Sequence, residues 1–94
     1  MKRYAVIIPA FRPMEQLPEY IDELISKQIE HIIIIDDGSG LDYQNVFRRI
    51  QPFGECTILT HEENCGKGAA LKTGFNYYLE HLSHLEGVVT VDAD

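Results

Sequence analysis

Four consecutive isoleucines, Ile32 to Ile35, followed at once by Asp36-Asp37-Gly38-Ser39-Gly40, constrain this chain more than any other feature. An unbroken β-branched run presents no polar side to water, so a strand built from it needs cover on both faces. The cluster that follows suits only a turn, which fixes a strand from His31 to Asp36. Strands covered on both faces belong to parallel sheets, whose long crossovers carry helices to either side. Three more short apolar runs supply the neighbours. Tyr4 to Ile8 is closed by Pro9, Cys56 to Thr60 is shorter than the run from His31 to Asp36, and Val88 to Val91 runs into Asp92-Ala93-Asp94.

Helical spacing fills the gaps between these runs. From Pro18 to Glu30 the apolar residues Ile21, Leu24, Ile25 and Ile29 recur at offsets of three and four. A second helix is expected from Asp42 to about Ile50, before Pro52-Phe53-Gly54 breaks it. A third and longest one is expected from Lys67 to about His84, with Leu71, Phe75, Tyr78 and Leu82 buried against the sheet and Gly87 as its stop. Strand and helix alternate, so the expected fold is α/β: an open parallel sheet of four strands ordered 3-2-1-4, with helices on both faces. That order leaves Val88 to Val91 on an edge, where self-association is expected.

Length and composition narrow the function. Ninety-four residues, 45% of them hydrophobic, make one domain with a core. Fifteen acidic against eight basic side chains give a net charge of −7, which argues against a nucleic-acid partner. The longest apolar run falls far short of the roughly 18 residues of a membrane span, and the N-terminus lacks a signal-peptide core, so the chain reads as cytoplasmic. Cys56 and Cys65 read as reduced thiols, with no second ligand pair for zinc. His61, His81 and His84 have no carboxylate or cysteine at metal-ligand spacing, and no nucleophile set of the Ser/His/Asp or Cys/His kind can be assembled.

The chemistry lies where each strand ends. Pro9-Ala10-Phe11-Arg12, Asp36-Asp37-Gly38-Ser39, His61 to Gly68 and Asp92-Ala93-Asp94 all follow strands. In a parallel sheet those ends share one edge, outside which ligands bind. Asp92 and Asp94 are two apart, so alternation aims both carboxylates one way, able to share Mg²⁺ or Mn²⁺; alone, such a pair is common as two solvated acids. One of Asp36 and Asp37 can accept from a base or ribose while the other closes a turn or caps a helix. Asn64-Cys65-Gly66-Lys67-Gly68 opens the long helix with glycines, unpaired N–H groups and a cation, though it is neither a P-loop nor a dinucleotide fingerprint.

Taken in order, Val-Ile-Ile-Pro-Ala-Phe, Ile-Ile-Asp-Asp-Gly-Ser, Asn-Cys-Gly-Lys-Gly-Ala-Ala-Leu-Lys-Thr-Gly and Val-Asp-Ala-Asp make the whole chain resemble the N-terminal half of a family 2 glycosyltransferase of the GT-A fold. The Gly-Lys-Gly form looks most like the branch with polyprenyl-phosphate sugar transferases. The resemblance implies a sugar transferred from a nucleotide donor, a UDP- or GDP-sugar, to a polyprenyl phosphate or saccharide. It implies that Pro9, Ala10 and Phe11 line the nucleotide pocket, that Asp36 or Asp37, with Asp37 favoured, holds the base, and that Lys67 lies beside the nucleotide. Asp92 is then placed on ribose and metal, and Asp94 as the closer metal ligand. Phe11 and Arg12 depart from the usual Tyr and Asn.

The resemblance further implies that residues 1–94 are a donor-binding half cut at Asp-x-Asp, without the acceptor side and its catalytic base. Such a piece is expected to bind nucleotide weakly and to transfer nothing, while its parent sits at the cytoplasmic membrane face. Two other classes share some of these features. A receiver-like Mg²⁺-binding module would need a phospho-acceptor Asp after the third strand, where Thr60-His61 stands. A phosphotransferase with an Asp nucleophile usually opens its chain with Asp-x-Asp, which here comes last.

Overall fold

The computed structural model describes residues 3–27 and 29–93. Its strands are β1 (Tyr4–Ala10), β2 (His31–Asp37), β3 (Cys56–His61) and β4 (Gly87–Thr90), all parallel and ordered β3-β2-β1-β4. Helices α1 (Leu17–Ser26), α2 (Gln44–Ile50) and α3 (Lys67–His81) form the crossovers, with a 3₁₀ turn at Leu41–Tyr43 leading into α2. This is the expected doubly covered sheet, the Rossmann-like half of a GT-A fold. The four isoleucines divide between its faces. Ile32 and Ile34 pack with Val6 and Ile8 under Leu17 and Ile21 of α1 and Val46, Phe47 and Ile50 of α2. Ile33 and Ile35 pack with Ile7 under Ala70 of α3. Among the described residues, no helix is long and apolar enough to cross a membrane.

β1 runs through Pro9 instead of stopping before it, and topology explains why. Pairing with β4 ends at Ile7–Thr90, while pairing with β2 continues to Ala10–Asp36. Ile7 turns its carbonyl to Val91 N, so residue 9 faces the same side, past the end of β4's ladder. The missing N–H of proline therefore leaves no bond unmade.

Three expectations need correction. α1 ends at Ser26, not Glu30: Ser26 Oγ donates to Glu23 O at 2.6 Å and Lys27 N bonds Leu24 O, tightening the last turn, while Ile29 still packs on the core from outside the helix. α3 ends at His81, not His84, because the chain turns through Leu82 to bring buried Leu85 under Tyr78 and Glu86 N onto Arg3 O. Phe75 is 39% exposed. The face that α3 turns to the sheet is set by Ala70 and Gly74, both buried, with Leu71, Tyr77, Tyr78 and Leu82 beside them. A Cβ on Gly74 would stand 2.6 Å from Ile7 Cγ2 and 3.0 Å from Ile35 Cδ1. The helix thus lies on the sheet by its smallest residues, which rotates Phe75 toward solvent.

Candidate functional site

At the carboxyl edge of the sheet a cleft of about 370 Å³ is lined by Pro9, Ala10, Phe11, Asp37, Asn64, Gly66, Lys67, Asp92 and Ala93. Every strand-end cluster singled out in the sequence contributes to it or to its support. Phe11 is partly exposed, with the Arg12 guanidinium 5.0 Å from its ring centroid. Arg12 takes a positive φ of 50°, which asparagine tolerates better than arginine. Its N–H donates to Ser39 Oγ at 2.9 Å, tying the β1 loop to the turn after β2.

The acidic doublet splits across the sheet, as period-two side chains must. Asp36, 1% exposed, falls on the α1/α2 side: its Oδ1 accepts from Ser39 N at 3.0 Å and its Oδ2 from Gln44 Nε2 at 3.2 Å. It holds the turn and does not line the cleft. Asp37, 2% exposed, falls on the α3 side and lines it. Cys65 N (2.9 Å) and His61 Nδ1 (2.8 Å) donate to its Oδ1; Gly66 N (2.9 Å) and Asn64 Nδ2 (3.1 Å) donate to its Oδ2. Burial pushes the Asp37 carboxyl up, but the bonds from His61, Cys65 and Gly66 outweigh it and hold it below the usual carboxylate value. Gly38, at φ 71°, lets the turn lie on the Glu63–Asn64 backbone, where a Cβ would approach to 2.3 Å.

Lys67, the first residue of α3, reaches across the cleft mouth to Asp92, Nζ to Oδ1 at 2.5 Å, with both side chains exposed. The N–H groups of Lys67, Gly68 and Ala69 have no partner within the helix, and no side chain caps it. The cleft therefore offers an apolar wall, a buried carboxylate, an exposed cation and free amide donors within one hollow. Asp94 lies outside the described residues. Asp92 presents its carboxylate at the cleft mouth, with Oδ1 paired to the lysine ammonium. A second group of potential ligands, Asp37, His61 and Cys65, has its atoms within 4.8 Å of one another. There the acceptor positions of Asp37 are taken by N–H donors, so it is a hydrogen-bonded cluster and not an open cage.

His61, Asn64 and Thr73 lie in segments that the sequence singles out, but no role in the site could be read for them. His61 Nε2 lies 2.8 Å from Thr73 Oγ1, which also donates to Ala69 O at 3.1 Å. The signal that finds His61 is register: parallel pairing sets it beside Asp37 on the same face. Cys56 is chemically quiet, its thiol pushed up to about 11 by burial and by Glu55, and Cys65 is exposed, its Sγ against Glu63 O.

The family model described as "Glycosyl transferase family 2" matches residues 5–94. An undecaprenyl-phosphate 4-deoxy-4-formamido-L-arabinose transferase of Salmonella choleraesuis (strain SC-B67) is 32% identical over 100% of this chain and 29% of its own length. Proteins of the same description from Salmonella paratyphi B and Salmonella newport are 31% identical over the same shares. The chain thus spans 29% of the length of these relatives. Four strand-end motifs in order, one cleft that gathers them and a family match over nearly every residue agree: this chain belongs to glycosyl transferase family 2.

Proposed function

We propose that this chain is the donor-binding half of a metal-dependent glycosyltransferase that moves a sugar from a uridine or guanosine diphosphate sugar to a polyprenyl phosphate or saccharide acceptor. The observation that carries the reading is the cleft itself, where residues 9–11, 37, 64, 66, 67, 92 and 93 converge from four strand ends. Pro9, Ala10 and Phe11 offer the apolar wall on which a base packs. Asp37 accepts from the base; its four acceptor positions are full, so one donor must be exchanged, and the exposed Asn64 side chain, which bonds both Asp37 O and Oδ2, is the one that gives way. Asp36 supports the nucleotide side by holding the turn that carries Asp37. Lys67 and the free amides of α3 meet the diphosphate. Its pairing with Asp92 joins two exposed groups, contributes little stability, and opens readily.

A divalent cation held by Asp92 and Asp94 would neutralise charge on the leaving diphosphate. This chain's own work is to bind and orient the donor; none of its residues is assigned as the base that deprotonates an acceptor. A lipid phosphate acceptor, suggested by the relatives' description, would have the parent work at a membrane surface, on our reading its cytoplasmic face.

The test is titration with uridine and guanosine diphosphates, with and without Mn²⁺, followed by calorimetry and amide shifts. Binding that is strengthened by Mn²⁺ and weakened by Asp37→Ala and Asp92→Asn is expected, in the millimolar range, on the order of 4 kcal/mol. Shifts away from the strand ends, or indifference to both substitutions, would overturn the nucleotide reading, and sugar transfer by the chain alone would show that it holds the base.

A further inference from the structure

Asp37 turns about a bond between tetrahedral and trigonal carbon, a torsion with little intrinsic preference. The direction of its oxygens is therefore set by the groups that donate to them. Two come from the backbone of the loop it helps to shape, Cys65 and Gly66, and one from the exposed Asn64 side chain. Only His61 reaches it from the sheet. His61 is its register partner on β3, lies on the same face, and is itself fastened from above by Thr73 of α3. A carboxylate only accepts, so Nδ1 carries the proton and donates. The Thr73 hydroxyl has one proton, so it accepts from Nε2–H while it donates to Ala69 O, or donates to a bare Nε2 in place of that bond. His61 does not line the cleft.

We propose that His61 is a positioning residue of the donor cleft. By anchoring Oδ1 to the rigid sheet, it keeps Asp37 turned so that both oxygens gather the amides of Cys65 and Gly66 while Oδ2 stays within reach of the exchangeable Asn64 amide. The loop wall at residues 64–66 then takes its shape before any ligand arrives, and less ordering is left for binding to impose. The proposal rests on the nucleotide reading for its ligand, but its effect on the loop exists without one.

Two amides divide the work of the imidazole. Asn Nδ2 stands as many bonds from Cα as His Nδ1 and can donate to Asp37, whereas Gln Nε2 matches Nε2 and reaches toward Thr73. The experiment compares the chain with His61→Ala, His61→Asn and His61→Gln, reading the ligand-free amide shifts of Cys65 and Gly66 and the affinity for uridine and guanosine diphosphates with Mn²⁺. Circular dichroism establishes that each variant is folded. His61→Ala is expected to displace both amide signals and weaken binding about tenfold, the loss of one hydrogen bond to a charged group. His61→Asn should keep native shifts and stay within about threefold, and His61→Gln should behave like His61→Ala. Should His61→Ala fail to fold, the contrast between the two amides decides. Unmoved signals in His61→Ala, or rescue by Gln equal to that by Asn, overturn the proposal. If the parent chain binds neither diphosphate, the nucleotide reading falls, and the ligand-free shifts still decide the role of His61.

Discussion

A charge nearly shut off from water survives only where donors replace the water, and Asp37 has four. Its ionisation is linked to folding. Because the folded carboxyl ionises more readily than the unfolded one, it adds stability above its unfolded value and loses that contribution as pH falls through the lower, folded one. Asp37→Asn turns an amide N–H₂ toward donors; it should lower stability by about 1–3 kcal/mol at neutral pH, with the gap narrowing below about pH 4. Urea midpoints at pH 7 and pH 3 check this. His31 acts in another window: burial holds its imidazole below the ordinary value against the pull of Glu30 and Glu55, so its contribution weakens as the medium turns mildly acidic. At this scale the doublet was half legible. Period two separates Asp36 from Asp37 without a structure, and the sequence analysis left one carboxylate to a turn and one to a ligand. The partner of Asp37 was not legible, since the register that delivers His61 depends on how the β2–β3 crossover lands, which no local spacing encodes.

At the scale of elements, α3 carries the larger lesson. Counting large apolar residues at helical spacing places its inward face on Phe75, and the structure places it on Ala70 and Gly74. Periodicity weighs size, while close helix-to-sheet contact selects for its absence, so a glycine at the contact is silent in such a count. Gly74→Ala makes the point testable, because two effects have opposite sign. Helix propensity alone would favour alanine by up to about 1 kcal/mol, but the added carbon meets Ile7 and Ile35, and overpacking typically costs about 1–3 kcal/mol. A net loss is expected in thermal or denaturant unfolding, whereas Phe75→Ala should change stability by less than about 1 kcal/mol. The reverse ranking would mean that α3 is turned the other way. Strand existence, order and direction were legible, because a run of isoleucines admits few alternatives. Helix ends were less so: Ile29 continues the apolar pattern of α1 after the helix has stopped.

At the scale of the molecule, β4 has a strand partner on one side only among the described residues, with Val89 47% exposed. We propose that this edge pairs with a second copy; sedimentation should show a dimer at high concentration, lost when Val89→Lys places a charge there. A monomer throughout would refute it. The cleft lies just past the carboxyl end of the same strand, and its parts are scattered over the chain: residues 9–11, 37, 64, 66, 67, 92 and 93. None of these segments sits next to another until all four strands are in register. A diphosphate that binds the assembled cleft has nothing comparable to hold in a partly formed sheet, so its free energy goes wholly to the finished state. At a ligand concentration a hundred times the dissociation constant that is about 2.7 kcal/mol, a large fraction of what a domain of this size holds in reserve. On the donor-binding reading, the ligand would then favour the finished sheet over any partly formed one. Melting curves recorded across a ligand series should climb accordingly.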